Sequence, residues 1–328
     1  MLIAISVHGS RGDAHSTVVV DAAEHRVRIA RPIKRIVALN EDCLEVLRLL
    51  NASSLVVGVD NRVSEEPLFW AHLKELPSVG RWNEPSYENI ATLHPDLVIC
   101  YRNRPGYELE NKLKPLGIQV LRLDFYKMST MAEEIQILAK ILGKEKEANN
   151  FLNWYRKKLS SIQKILRCAT NRPMVYLESY SDYHALGPGS GGFEMGVLAG
   201  GNIITSAFSI TYPEVTSEWI LSINPDVIVK ATSVSDAYVA TSGESLKKTW
   251  KRIVLRPGWD QMRAVRKHRV YVMASDICAG PRAIVGIAYM ARWFHPEVAA
   301  KVDPLKIHHE YLEQFQHVKY RGSYVYPE

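Results

Sequence analysis

Cysteine is scarce. Four occur in 328 residues, at Cys43, Cys100, Cys168 and Cys278. They lie far apart and never as C-x-x-C, which excludes a zinc-ribbon pattern and a small disulfide framework and leaves buried free thiols as the expected state. No apolar run approaches the ~18 residues of a membrane span. The opening Met1 to Ser6 is apolar for only a few residues and has no basic leader, so no complete signal peptide is read there; the protein is intracellular, or its export signal lies outside this sequence. Catalytic words are missing too. There is no G-x-S-x-G elbow, no H-E-x-x-H, no G-x-x-x-x-G-K-[ST] and no G-x-G-x-x-G opening a first βαβ unit. No basic stripe interleaved with aromatics runs along the chain, which argues against nucleic acid.

What is present is an ordinary globular composition, 47% hydrophobic and 23% charged, with a net charge of +6 spread over mixed signs. That surface carries a weak preference for anionic ligands. The length accommodates two domains of ~150 residues.

The most informative stretch occurs twice. Glu88 to Ile99 reads E-N-I-A-T-L-H-P-D-L-V-I, and Glu218 to Val229 reads E-W-I-L-S-I-N-P-D-V-I-V, 130 residues later. The offset is too long for a solenoid repeat of ~20 to ~50 residues and close to one domain. In each copy a short amphipathic helix is stopped by Pro, because the residue before proline is pushed out of the helical region. A β-branched run without charges follows, the pattern of a buried parallel strand. Two copies predict an α/β protein of two similar lobes, with mainly parallel sheets flanked by helices and a ligand cleft between them.

Taken in order, the chain predicts a tail over 1–16 and an N-terminal lobe over 17–128. The lobe opens on a hairpin, then a strand at Arg35 to Leu39 and a helix capped by Asn40. Residues 129–168 contain no Pro and a single Gly, Gly143, and predict one long linking helix, open to a break at that glycine. Its second half alone is ~35 Å long at ~1.5 Å per residue, stiff enough to permit only small hinge motions. The C-terminal lobe, 169–328, has strands at Met174 to Glu178, Val227 to Val229 and Arg269 to Met273. A helix is expected over Ala283 to Phe294 and another over Ile307 to Phe315, with His308-His309-Glu310 solvated on it, and the tail after His317 is read as loose. Gly187 to Gly192 reads as a mobile or close-packed loop near the cleft.

The hairpin with Pro32-Ile-Lys-Arg-Ile-Val37, the two repeated words, the linking helix and the Arg256-Pro-Gly-Trp259 turn before Arg269-Val-Tyr-Val272 together resemble the substrate-binding proteins of ABC importers, the class that carries iron–siderophore, haem and cobalamin. The resemblance spans roughly Thr17 to Phe315. It implies a non-catalytic, extracytoplasmic protein, monomeric and held at or near the membrane with or without a lipid anchor, that captures a metal chelate, a ferric siderophore or iron complex, and delivers it to a permease dimer. It also implies that a glutamate on each lobe docks on permease arginines, and the matching positions are Glu88 and Glu218. A carboxylate favourably placed at a helix N-terminus is the structural alternative for both.

In open parallel sheets ligands bind at the C-terminal edges of strands. That rule selects Asn40, Trp82, Arg102, Arg104 and Tyr126 from the first lobe, and Tyr180, Tyr183, His184, Asp276 and Arg282 from the second. Arginine forks suit the carboxylates or phenolates of a chelate, and aromatic faces suit its organic shell. Each has a plainer alternative: loop charges for Arg102 and Arg104, core for Trp82, packing for Tyr180 and Tyr183. His184 has no ligand partner at fixed spacing, so no residue is assigned to a metal and no resident cofactor is expected. A haem or corrinoid carrier and, from another class, a metal-chelatase-like enzyme stay open as alternatives.

Overall fold

The computed structural model describes residues 16–234, 237–240 and 242–328. The expected tail lies outside them except for Ser16, which begins the first strand.

The hairpin is β1 (Ser16–Val20) and β2 (Arg26–Ala30), paired antiparallel. Next come β3 (Ile36–Ala38), α1 (Glu41–Leu49) and β4 (Val56–Val59), then a small ribbon of β5 (Gly80–Arg81) and β6 (Glu84–Pro85). The first repeated word supplies α2 (Tyr87–Thr92) and β7 (Leu97–Cys100), followed by α3 (Glu108–Leu113) and β8 (Gln119–Arg122). The N-lobe sheet is parallel, in the order β4-β3-β7-β8. Every residue of β3 and β7 is buried, as expected for strands covered on both faces.

The linking segment is two helices, not one, α4 (Met131–Leu142) and α5 (Glu145–Leu166). Gly143 ends α4 in the left-handed region at φ 67°, where glycine has no Cβ penalty. The two helices pack on each other. α5 is about 33 Å long at ~1.5 Å per residue, and its buried stripe includes Phe151, Tyr155 and Ile162.

The second lobe contains β9 (Met174–Glu178), α6 (Gly191–Leu198), β10 (Asn202–Ile203), α7 (Ser217–Ile223), β11 (Val227–Thr232), α8 (Glu244–Val254), α9 (Arg263–Arg266) and β12 (Val270–Ala274). It closes with α10 (Ala283–Phe294), α11 (Pro296–Ala299), α12 (Pro304–Gln314) and β13 (Val325–Tyr326). Its sheet order is β10-β9-β11-β12-β13, parallel except for β13.

The two repeated words fold alike, with the same cap, turn and anchoring aspartate. Ser86 and Thr216 cap α2 and α7, each oxygen accepting a backbone N–H three residues on at 3.2 Å. His94 and Asn224 take the left-handed conformation after each helix, φ 43° and 52°. Arg35 donates to the Leu93 carbonyl and Arg263 to the Asn224 carbonyl, both from Nη2 at 2.7 Å. The aspartates of the Pro-Asp pairs anchor the neighbouring strand: Asp96 accepts the N–H groups of Lys34 and Arg35 ahead of β3, and Asp226 accepts that of Met174 at the start of β9. The repeat thus specifies how a helix is closed and how a sheet begins, with the orphan groups of each end satisfied.

Three expectations need correction. The tail is not loose, because β13 pairs with Val272 and Met273 and the Tyr324 carbonyl accepts from the Ala274 N–H at 2.8 Å. His308 is not solvated: it is fully buried, with the rings of Tyr320 and Tyr324 at 5.2 and 4.4 Å, and Glu310 accepts from Trp154 and pairs with Lys158. α12 packs on α10, its Tyr311 reaching Phe151 of α5 and Glu45 of α1, while His308 faces the tail. Cys168 is exposed, unlike the other three cysteines, because it lies just past the end of α5.

Candidate functional site

At the C-terminal edge of the second-lobe sheet lies a cavity with about 560 Å³ of empty space, counted out to its open mouth. Tyr126 enters it from the N-lobe. The floor and far wall are second-lobe residues: Leu177 and Glu178 at the end of β9, Val229 and Ala231 on β11, Met273 on β12, and Tyr180 and Tyr212 on loops. The walls are mainly aliphatic, sulfur-bearing and aromatic.

Two close approaches hold the lobes around it. A Cβ on Gly191, at the start of α6, would collide with the Tyr126 carbonyl, and one on Gly280, at φ 65°, would collide with the Asp42 carboxylate. Beside the first contact, Ser129 donates to Glu194 from its backbone N–H and its hydroxyl at 3.0 and 2.7 Å. The glycine-rich segment is therefore a close-packed loop. Gly187 and Gly189 lie against the Ile210–Thr211 backbone and the Thr211 side chain, and the Ser190 hydroxyl caps α6.

An aromatic row runs along the N-lobe side. Trp82 meets Tyr101 edge-on at 5.6 Å, and Tyr101 meets Tyr126 at 5.8 Å, separations at which such pairs are favourable. The Tyr101 hydroxyl donates to Asp42 Oδ2 at 2.7 Å. Burial, then the Asp42 charge, pushes the Tyr101 phenol well above its ordinary pKa. Desolvation raises Tyr126 as well, and also Tyr180 and Tyr212 although both are about half exposed at the cavity, so all four are neutral phenols.

Acids gather around Arg62 and Arg282, outside the residues that line the cavity. Burial pushes Glu41 up to about 7 although Arg62 opposes it with an ion pair of 2.9 Å. Burial likewise takes Asp42 to about 7 against the Tyr101 hydrogen bond. Glu66 reaches about 8 through burial and the charge of Asp276 on the opposite lobe. The Asp276 side chain is only 4% exposed, and its Oδ2 has no hydrogen-bond partner.

Of the residues selected by sequence, Tyr126 and Tyr180 line the cavity, Trp82 backs the aromatic row, and Asp276 is buried beside Arg282. Asn40 is buried and caps α1, its Oδ1 accepting from the Cys43 N–H at 2.7 Å. The others lie elsewhere. Arg282 is buried between the lobes, its guanidinium donating to Glu45 on α1 and 3.6 Å from Asp276. Arg102 turns outward to Glu24 of the hairpin at 3.3 Å, and Arg104 is exposed on the same loop. That loop is shaped by Arg122, which is buried and donates to the carbonyls of Tyr101, Arg102 and Pro105 while pairing with Glu110. Tyr183 packs inside its lobe against the Arg256 guanidinium and Trp259. The His184 ring nitrogen lies 3.1 Å from the Asp182 carbonyl of its own loop.

Sequence reasoning missed Tyr212, Glu41, Asp42, Arg62 and Glu66. Glu41 and Asp42 stood in plain view as the first turn of the helix that follows a strand, but an acid there is also ordinary helix chemistry. Tyr212 follows no strand and had no signal. Glu88 and Glu218 are exposed, one on each lobe, both in the first helical turn.

Comparisons with known proteins follow this geometry. The family described as periplasmic binding protein matches residues 36–277. The ABC transporter substrate-binding lipoprotein YvrC of Bacillus subtilis (strain 168) is 27% identical over 288 residues, covering 84% of this chain and 85% of its own. The Fe(3+) dicitrate-binding periplasmic protein FecB of Escherichia coli (strain K12) is 27% identical over 265 residues, covering 76% of this chain and 80% of its own. The crystal structure of the TroA-like periplasmic binding protein FepB from Veillonella parvula superimposes with a TM-score of 0.78 at 21% identity, covering 94% of this chain and 98% of that one.

Proposed function

The chain belongs to the periplasmic binding protein family, and on that premise we propose that its interlobe cavity captures a metal chelate, an iron complex in the first instance, and hands it to the permease of an ABC importer. The matched relatives are ABC substrate-binding proteins, not enzymes. Its place is outside the cytoplasmic membrane, as in the periplasmic and lipoprotein relatives. No described helix is long and apolar enough to cross a membrane.

One observation carries the ligand reading. Apart from Glu178 and Ser179, the cavity is walled by apolar second-lobe side chains and by the phenols of Tyr180, Tyr212 and, from the N-lobe, Tyr126, while no three His, Cys, Asp or Glu side chains among the described residues converge as a metal-ligand set. Such walls suit a metal that arrives inside an organic shell, whose faces pack on Tyr126, Tyr180 and Tyr212. Glu88 and Glu218, alike in cap, turn and exposure, are the residues proposed to dock on the permease.

The test is titration of the protein's tryptophan fluorescence with ferric siderophores, haemin and cobalamin. Tyr126→Ala and Tyr180→Ala should each weaken the chelate that binds by about 1–3 kcal/mol, five- to 150-fold. Unchanged affinity in both variants would remove the cavity from the function.

A further inference from the structure

Tyr126 is the one N-lobe residue in the cavity lining, and it stands on the stretch of chain that crosses from β8 to α4. That crossing is tied down along its length. Asp124 Oδ1 accepts from the Arg102 N–H at 2.8 Å, and the Tyr126 carbonyl packs on Gly191 of α6. Met128 Sδ accepts from the Tyr155 hydroxyl of α5 at 3.0 Å, and Ser129 donates to Glu194 of α6. Between Asp124 and Tyr126 the backbone turns left-handed. Phe125 has φ 59°, a conformation that side chains of this bulk rarely adopt. Its ring is completely buried, and its N–H donates to the carboxylate of Glu134, in the first turn of α4 and itself only 4% exposed. An aromatic residue stays in this region only where its surroundings over-determine it. Here the core holds the ring and Glu134 holds the N–H.

We propose that Glu134 is a positioning residue for ligand capture: from the linking segment, and outside the cavity lining, it holds the Phe125 turn that presents Tyr126 to the second lobe. The inference rests on the cavity being the ligand site, as proposed above. Returning Phe125 to an ordinary φ is a rotation of about 120° or more about its N–Cα bond. Such a rotation either draws the Phe125 ring out of the core or swings Tyr126 out of the cavity, and the buried ring is the costlier to move. Glu134→Ala leaves the Phe125 N–H buried without its acceptor, which favours that rotation. Glu134→Gln keeps a side-chain oxygen for the same bond. The ligand therefore feels Glu134 only through Tyr126, and the two residues act as one unit.

Two measurements on the whole protein test this, one without ligand and one with it. In fluorotyrosine-labelled protein the fluorine NMR line of Tyr126 is identified by its loss in Tyr126→Phe. Glu134→Ala should shift or broaden that line, and Glu134→Gln should leave it in place. Affinity is then measured for whichever of ferrioxamine B, haemin and cyanocobalamin binds the parent. Glu134→Ala should weaken it about fivefold or more in the parent and less than about twofold in the Tyr126→Ala background, the mark of residues that act together. A Tyr126 line that does not move, or a loss of affinity as large without Tyr126 as with it, would overturn the proposal and leave Glu134 an ordinary part of the α4 end. Should Glu134→Ala not fold, Glu134→Asp is read in the same way, since it keeps the charge and falls a methylene short of the Phe125 N–H. A line that moves while none of the three probes binds the parent would sink the chelate reading alone and leave Glu134 as the residue that sets Tyr126.

Discussion

Two buried ionic clusters serve the cavity, and they are built differently. Beneath its floor, Glu178 binds Arg256 by two hydrogen bonds of 2.7 and 2.8 Å, pairs with Lys230 at 2.8 Å, and accepts from the Tyr176 hydroxyl at 2.9 Å. Asp182 completes the set, pairing with Lys230 and Arg256 at 3.2 and 3.1 Å. All the charged ends here have partners, and all belong to one lobe. The second cluster crosses the lobes. Glu45 on α1 receives Arg282 and the Tyr311 hydroxyl from the second lobe, yet Arg282 Nη1 and Asp276 Oδ2 stand 3.6 Å apart with no hydrogen bond from either. A lobe that folds as one body can satisfy a buried ion network completely. The network that crosses the lobes leaves this one pair without a hydrogen bond.

The largest effect should come from opening the complete cluster. Glu178→Ala leaves Lys230 and Arg256, which are 0% and 7% exposed, facing one another with Asp182 alone to balance them. Removing one partner of a buried pair costs about 3–5 kcal/mol, to be read from urea denaturation. Glu45→Gln should cost less, about 1–3 kcal/mol, because glutamine still accepts a hydrogen bond from Arg282 and Asp276 remains beside it. Equal losses in the two variants would erase the distinction between the clusters. Replacing Glu45 should also loosen the lobes against each other, visible as faster amide exchange in α12 with little change in β9 and β11.

The sequence carried the fold further than the site because the two rest on different kinds of signal. The repeated words are local: cap, helix, left-handed residue, anchoring aspartate and strand all lie within about a dozen residues, so reading them needs no knowledge of what packs where. The placement of Tyr126 and Tyr180 in the cavity lining was also legible, because the rule about strand ends is a rule of topology. Arg282 obeyed that rule and was misplaced by it. Its partner Glu45 lies 237 residues away, and nothing near either residue announces that α12 and the turn before α10 fold back onto α1. Arg102 and Arg104 failed for a related reason, since the direction of their loop is set by Arg122 from the next strand. The break at Gly143 lay within reach, whereas the burial of His308 depended on a tail without periodicity.

A smaller effect, with a defined sign, separates the acids around Arg62 from the sealed clusters. Asp42 is held near 7, above the ~3.9 of an unfolded aspartate. A raised folded pKa favours the folded state fully below about pH 4, and that contribution is lost as pH rises toward about 7. Asp42→Asn keeps an acceptor for the Tyr101 hydroxyl and removes the titration. Its melting temperature should match that of the parent near pH 4 and exceed it at about pH 8. No crossover of this kind would mean that Asp42 is better solvated than its contacts imply, and would bring those acids closer in kind to an ordinary surface.

Smallest of all for stability are the two residues that touch neither cluster, the pair proposed to dock on the permease. Glu88 and Glu218 are exposed, each in the first turn of a capped short helix, where a carboxylate is worth about 0.3–1 kcal/mol through the helix dipole. Glu88→Ala combined with Glu218→Ala should therefore shift the melting temperature by a few degrees at most and leave chelate affinity untouched. If each lobe meets one permease subunit through its glutamate, transport in reconstituted vesicles should fall steeply in the double variant and partly in each single one. Helix electrostatics alone would give the same stability change with normal transport, and that result would return both glutamates to the role of dressing two helix ends.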